Sequence, residues 1–122
     1  MNNKEFSKQL EVRTKKFAIG IIRLCGKLPN SIEGRVVRNQ LTKSGTSIGA
    51  NYREANRSRS KADFLNKIII CESEASETYY WLEIVIDLNW YALEKIQIIL
   101  NEANEILSIF TSIENNLKGM KN

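Results

Sequence analysis

The sequence predicts an all-α fold, an antiparallel up-down-up-down four-helix bundle. Three observations carry that prediction. Apolar residues recur every three or four positions along four long segments, the period of an amphipathic helix. The segments are joined by three short breaks, and short links place consecutive helices side by side and antiparallel. No stretch alternates as a strand does, and there is no internal repeat or low-complexity run. At 122 residues the chain suits one domain, 1–122, around one core.

The first helix is expected from about Lys4 to Lys27, with Phe6, Leu10, Phe17, Ile21, Leu24 and Leu28 as its inner stripe. Arg13, Lys15, Lys16 and Arg23 leave its outer part basic. Gly26 and Leu28-Pro29-Asn30 end it. Ser31 caps the second helix, Glu33 favours its positive end, and the helix closes near Asn56.

The second helix contains the most unusual stretch, Gln40 to Ala55. Two interior glycines, Gly45 and Gly49, each cost roughly 1 kcal/mol against alanine, and the neighbouring Thr and Ser add smaller losses. Yet Val37, Leu41, Ser44, Ile48 and Ala55 keep the helical period, with Asn51 or Tyr52 filling the gap. Such a segment is helical through packing rather than propensity. Gly45 and Gly49 lie about one turn apart and let another helix approach closely; they and Tyr52 are the candidate helix-contact residues. A contact inside the bundle and a contact between subunits both fit. Arg35, Arg38, Lys43, Arg53 and Arg57 fall within one sector of the same helix, opposite its apolar row.

Asn56 to Ser60 form the second break, and Ser60 with Asp63 has capping-box spacing. The third helix, about Lys61 to Leu88, carries Phe64, Ile68, Cys71, Ala75, Thr78, Leu82 and Val85 in strict alternation of three and four, the seam of a bundle. Asp87-Leu88-Asn89-Trp90 breaks it. The fourth helix, about Ala92 to Leu117, has a seam of Leu93, Ile96, Leu100, Ala103, Leu107, Phe110 and Leu117, with Ile99, Ile106 and Ile113 as a second apolar row. Gly119 and a polar tail end the chain.

Charge is divided unevenly. Residues 1–61 carry a formal charge of +10 and residues 62–122 a charge of −6. The basic half can meet an anionic partner, or the two halves can pair with each other. Cys25 and Cys71 stand apart among apolar residues, which favours buried free thiols over a metal site. Charges interrupt the N-terminus where a signal peptide would be apolar, and no apolar run reaches the ~20 residues that span a bilayer. The expectation is a soluble cytoplasmic protein.

Several words of this sequence together resemble a known family. They are Leu28-Pro29; Gln40-Leu41 with Ser44; Thr46-Ser47-Ile48-Gly49-Ala50-Asn51-Tyr52-Arg53-Glu54-Ala55; Ser60-Lys61-Ala62-Asp63-Phe64 with Lys67; and Glu74-Ala75, Glu77-Thr78 and Tyr80-Trp81-Leu82. They are similar to the bacterial four-helix bundle proteins, also called 23S ribosomal RNA intervening-sequence proteins and sometimes filed as a ribosomal protein family. Lys43-Ser44-Gly45 departs from the Arg-Ser-Ala frequent there. The resemblance implies an antiparallel four-helix protomer that assembles into a homopentamer. A related branch, the accessory proteins of diversity-generating retroelements, is basic and binds nucleic acid and a reverse transcriptase. The family name records where some of its genes lie, not an activity.

Catalysis finds little support. There is no histidine, so the commonest general base and the Glu-x-x-His pairs of di-iron bundles are absent. Glu74 and Glu77 share a stripe with Trp81; they can act as an acid/base pair or bind a cation, or simply meet basic residues of the first two helices, in the same chain or a neighbour. No cofactor and no metal are called for. The favoured chemistry is nucleic-acid binding, to RNA with ribosomal RNA among the candidates, by Lys15, Lys16, Arg35, Arg38, Lys43, Arg53, Arg57, Arg59 and Lys61 through phosphate neutralisation. No aromatic residue lies among them to stack on single-stranded bases. The competing reading is a non-catalytic oligomeric scaffold that binds a protein partner.

Overall fold

A computed structural model describes residues 3–119; the polar tail after Gly119 lies outside the described residues. Four helices run α1 (Asn3–Cys25), α2 (Ile32–Asn56), α3 (Lys61–Asp87) and α4 (Leu93–Gly119). No strand occurs among the described residues. Contacts between helices follow an antiparallel pattern. Glu11 meets Asn56 and Ile21 meets Gly45 across α1 and α2, while Ile48 meets Cys71 and Ser44 meets Thr78 across α2 and α3. Numbers rise along one helix as they fall along its neighbour. The arrangement is the expected four-helix bundle, with fewer close backbone approaches between α1 and α4 than between the other adjacent pairs.

The helix starts are set by side chains. Ser31 Oγ accepts from the Gly34 amide at 3.0 Å, and Ser60 Oγ accepts from the Asp63 amide at 3.0 Å. At the end of α3, Asn89 takes φ 56°, the left-handed conformation that asparagine tolerates better than most residues. The Trp90 amide then donates to Val85 O at 3.2 Å and the Asn89 amide to Ile86 O at 3.0 Å, closing α3 as a Schellman motif.

The core is one cluster shared by all four helices, with Ile21, Leu41, Ile48, Ile68, Leu82, Ile96, Ile106 and Phe110 fully buried. Tyr52 fills the gap in the α2 row; Asn51 stays at the margin. Its ring meets Phe110 edge-to-face, 5.4 Å between centroids, so it ties α2 to α4 across the core. Gly45 and Gly49 face α1 within the same chain, Gly45 against Ile21 and Gly49 against Thr14. Cys25 and Cys71 are buried free thiols, as expected. Burial pushes the Cys71 thiol up to about 12.

Several positions differ from the expected stripes. Phe6 is at the edge, 36% exposed, and Thr14 completes the α1 row instead, with its hydroxyl donating to Leu10 O at 2.9 Å. Leu93 is 59% exposed. Each step of seven residues turns a helix back by about 20°, so the row Leu93, Leu100, Leu107 approaches the core only toward its later members. The deep row of α4 is Ile96, Ala103, Ile106 and Phe110, and it ends on Glu114, a charged residue in a seam position.

Candidate nucleic-acid interface

The basic surface is built where α1 lies against α2. Small residues along this seam, Ala18 on α1 with Thr46, Gly49 and Ala50 on α2, leave a shallow hollow of about 200 Å³ whose rim carries Lys15, Arg53 and Glu11. Further along the same seam a second hollow of about 390 Å³ is lined by Ile22, Gly26, Asn39, Thr42, Arg38 and Lys43. Both are open furrows rather than closed cavities. They place cations from two helices beside small or uncharged side chains.

Among the nine candidate cations, Arg38 is half-buried and the other eight are exposed. Arg35 and Arg38 both lean on Asn30, Arg35 donating to its carbonyl at 3.3 Å and Arg38 to its side-chain oxygen at 3.3 Å. Arg53 is the one that forms an ion pair among the described residues, a loose contact with Glu11 at 3.8 Å. Arg57, Arg59 and Lys61 follow in the link between α2 and α3 and its first turn. Lys16 is not brought to this face. It lines, with Arg13 and Phe17, the wider groove between α1 and α4.

Arg13 shows the contrast. Its guanidinium holds Glu102 through two bonds of 2.7 Å and Glu105 through a third of 2.7 Å, fastening α1 to α4. These carboxylates raise its pKa further above the ordinary arginine value. The charge difference between the two halves is therefore partly paired inside the chain, on the α1–α4 side. By sequence Arg13 falls with the outer cations; its place four residues before Phe17, beside the apolar stripe, is the signal of its inward turn.

Glu74 and Glu77 do not form an isolated acid/base pair. Burial raises the Glu74 pKa, Glu77 adds to the rise, and Lys43 of α2 opposes it. Glu77 Oε2 accepts from Trp81 Nε1 at 3.2 Å. No group of three metal-ligating side chains occurs among the described residues. None of the four helices is long and apolar enough to cross a membrane.

A model of the 23S rRNA-intervening sequence protein family matches residues 8–112, nearly the whole bundle. The chain belongs to that family. A protein of unknown function from the S23 ribosomal protein family of Bacteroides thetaiotaomicron VPI-5482, known from a crystal structure, is 38% identical and superposes with a TM-score of 0.82. The match covers 89% of this chain and 97% of that one. No curated protein matches the sequence. Membership of the intervening-sequence family fits the resemblance carried by the words from Leu28 to Leu82, and the shared bundle extends to both sides of them.

Proposed function

We propose that this family member is a non-catalytic, self-associating helical bundle that binds structured RNA through the α1–α2 furrow. One observation carries the reading. Lys15, Arg35, Arg38, Lys43, Arg57, Arg59 and Lys61 form no ion pair among the described residues, while Arg13, outside the set, is paired with two carboxylates. Lys15, Arg38 and Lys43 of this set line the furrow, where unpaired cations neutralise phosphates and release counterions, which gives affinity with little sequence preference. The apolar residues exposed on α1 and α3, among them Val12, Ile19, Ile70 and Tyr80, supply surface for self-association, and the family resemblance sets the expected copy number at five. Repetition of the furrow around an assembly raises the effective concentration of sites.

Fluorescence anisotropy of a labelled RNA hairpin, titrated with protein at several salt concentrations, tests the reading. Affinity is expected to fall steeply and log-linearly with salt. Undetectable or salt-insensitive binding overturns it. Light scattering of the same sample tests self-association independently. The scaffold reading is favoured by the same exposed apolar residues; it predicts an assembly whose purified absorbance ratio at 260 and 280 nm is that of protein alone.

A further inference from the structure

We propose that Glu72 of α3 and Glu114 of α4 form a site that binds one proton between them, and that the α3–α4 seam loosens as this proton is lost. Glu114 occupies a core position of α4 and is 9% exposed. Its Oε2 accepts from Lys118 Nζ one turn on, but its Oε1 is buried with no partner. Buried polar oxygens are almost always partnered, so an orphan of this kind indicates a missing donor. Glu72 lies within hydrogen-bonding reach from the neighbouring helix. Its own Oε2 is already held, accepting from Thr111 Oγ1 at 2.6 Å. A proton on the remaining Glu72 oxygen supplies the donor that Glu114 Oε1 lacks. The proton bound by the pair then sits on Glu72, and Glu114 remains a carboxylate facing Lys118.

The surroundings favour this assignment. Lys118 steadies the negative charge on Glu114, and Thr111 orients Glu72. α1, packed on the other flank of α4, brings Glu5 in its first turn to the same end of the bundle, and among the described residues the charged groups acting on Glu114 are Glu72 and Lys118. The Glu72 pKa is raised, first by Glu114, and that of Glu114 is lowered by the same contact and by Lys118, the pattern of one proton held by two carboxyl groups. The native pair keeps its proton at a pH where the unfolded chain has lost it. The contribution of the raised Glu72 group is full at and below the ordinary carboxylate range and falls as pH rises through its raised midpoint, while that of the lowered Glu114 group is full above that range and falls as pH drops through its own midpoint. Above that midpoint two carboxylates face each other across the seam. Glu72 also lines the open α3–α4 groove, so the proton has a path to water.

Carboxyl-selective carbon-13 NMR of the intact protein, followed from pH 3 to 9, reads the site directly. One of the two groups is expected to titrate above the ordinary glutamate value of about 4.3. In parallel, Glu72→Gln places an amide donor where the proton sits. Its melting temperature at pH 8 is expected to exceed that of the wild type by about 2–6 °C, an advantage that shrinks toward pH 5. Glu114→Gln removes the carboxylate that holds the proton, and in that variant Glu72 returns to an ordinary midpoint. Ordinary midpoints for both groups in the wild type, or a Glu72→Gln difference that does not change between pH 5 and 8, overturns the proposal.

Discussion

Gly45 of α2 lies so close to Ile21 of α1 that a Cβ on the glycine would stand 2.8 Å from Ile21 Cγ2. Ile21 is fully buried and cannot swing aside. Gly45→Ala is expected to destabilise the bundle, because overpacking of roughly 1–3 kcal/mol outweighs or matches the ~1 kcal/mol gained in helix propensity. At Gly49 the added carbon would sit 3.1 Å from Thr14 Oγ1 and 3.4 Å from backbone, so Gly49→Ala should lie within about 1 kcal/mol of wild type. Gly34→Ala should be the worst of the three, since its Cβ would fall 2.0 Å from the Pro29 carbonyl oxygen. Urea unfolding midpoints are expected in the order Gly49→Ala, Gly45→Ala, Gly34→Ala, from most to least stable.

Ser44 and Thr78 place two hydroxyls in the core between α2 and α3, 2.9 Å apart. Thr78 also reaches Glu74 O at 2.7 Å, and Ser44 reaches Leu41 O at 3.4 Å. Thr78→Val is expected to cost about 1–2 kcal/mol and Ser44→Ala a similar amount, because each leaves the other hydroxyl short of a partner. The double variant should lose less than the sum. A double-mutant cycle measured by urea denaturation checks this, and strict additivity would mean that the two hydroxyls do not interact.

Asn89 holds a left-handed backbone that glycine adopts without penalty. Asn89→Gly is expected to change stability by a gain of roughly 0.5–1 kcal/mol, and Asn89→Ala to lose about as much. Thermal melts of the two variants should move in opposite directions from wild type.

Cys71 is buried and its thiol donates to Ile48 O at 3.5 Å. With its pKa pushed up to about 12, almost no thiolate exists at neutral pH. Modification by a disulfide reagent at pH 8 should therefore track unfolding of the bundle. The raised thiol also sets a sign: its contribution to stability is complete up to about pH 8.5 and declines as pH rises toward the native value. Rapid labelling of Cys71 in the folded protein would contradict its burial.

Much of this fold is legible in local residue patterns. Ser31 and Ser60 announce two helix starts because a capping hydroxyl acts on an amide three residues away. The α3 seam is read correctly because it repeats regularly along the whole helix. The failures occur where a residue's environment comes from another helix. Gly34 is required by the carbonyl of Pro29, and Thr14 is buried because Gly49 leaves room for it. Glu114 breaks an apolar row for a reason that lies on α3, at Glu72. The basic surface was partly legible for the same reason. The sector on α2 follows from helical geometry alone, but whether a cation on α1 turns toward α2, as Lys15 does, or toward α4, as Lys16 does, depends on how α1 is rotated against its two neighbours.

The most direct test of the account compares the salt dependence of hairpin-RNA binding for the wild type and for Lys15→Glu/Arg53→Glu, whose positions share the hollow floored by Gly49. Lys95→Glu, on the first turn of α4 and outside both hollows, serves as the control for a charge reversal placed elsewhere. If the α1–α2 furrow seats the phosphates, the double variant binds at least tenfold more weakly, and the slope of log affinity against log salt becomes shallower by about 1–2 while Lys95→Glu stays near wild type. Equal slopes for all three proteins, with circular dichroism showing each still helical, would contradict it.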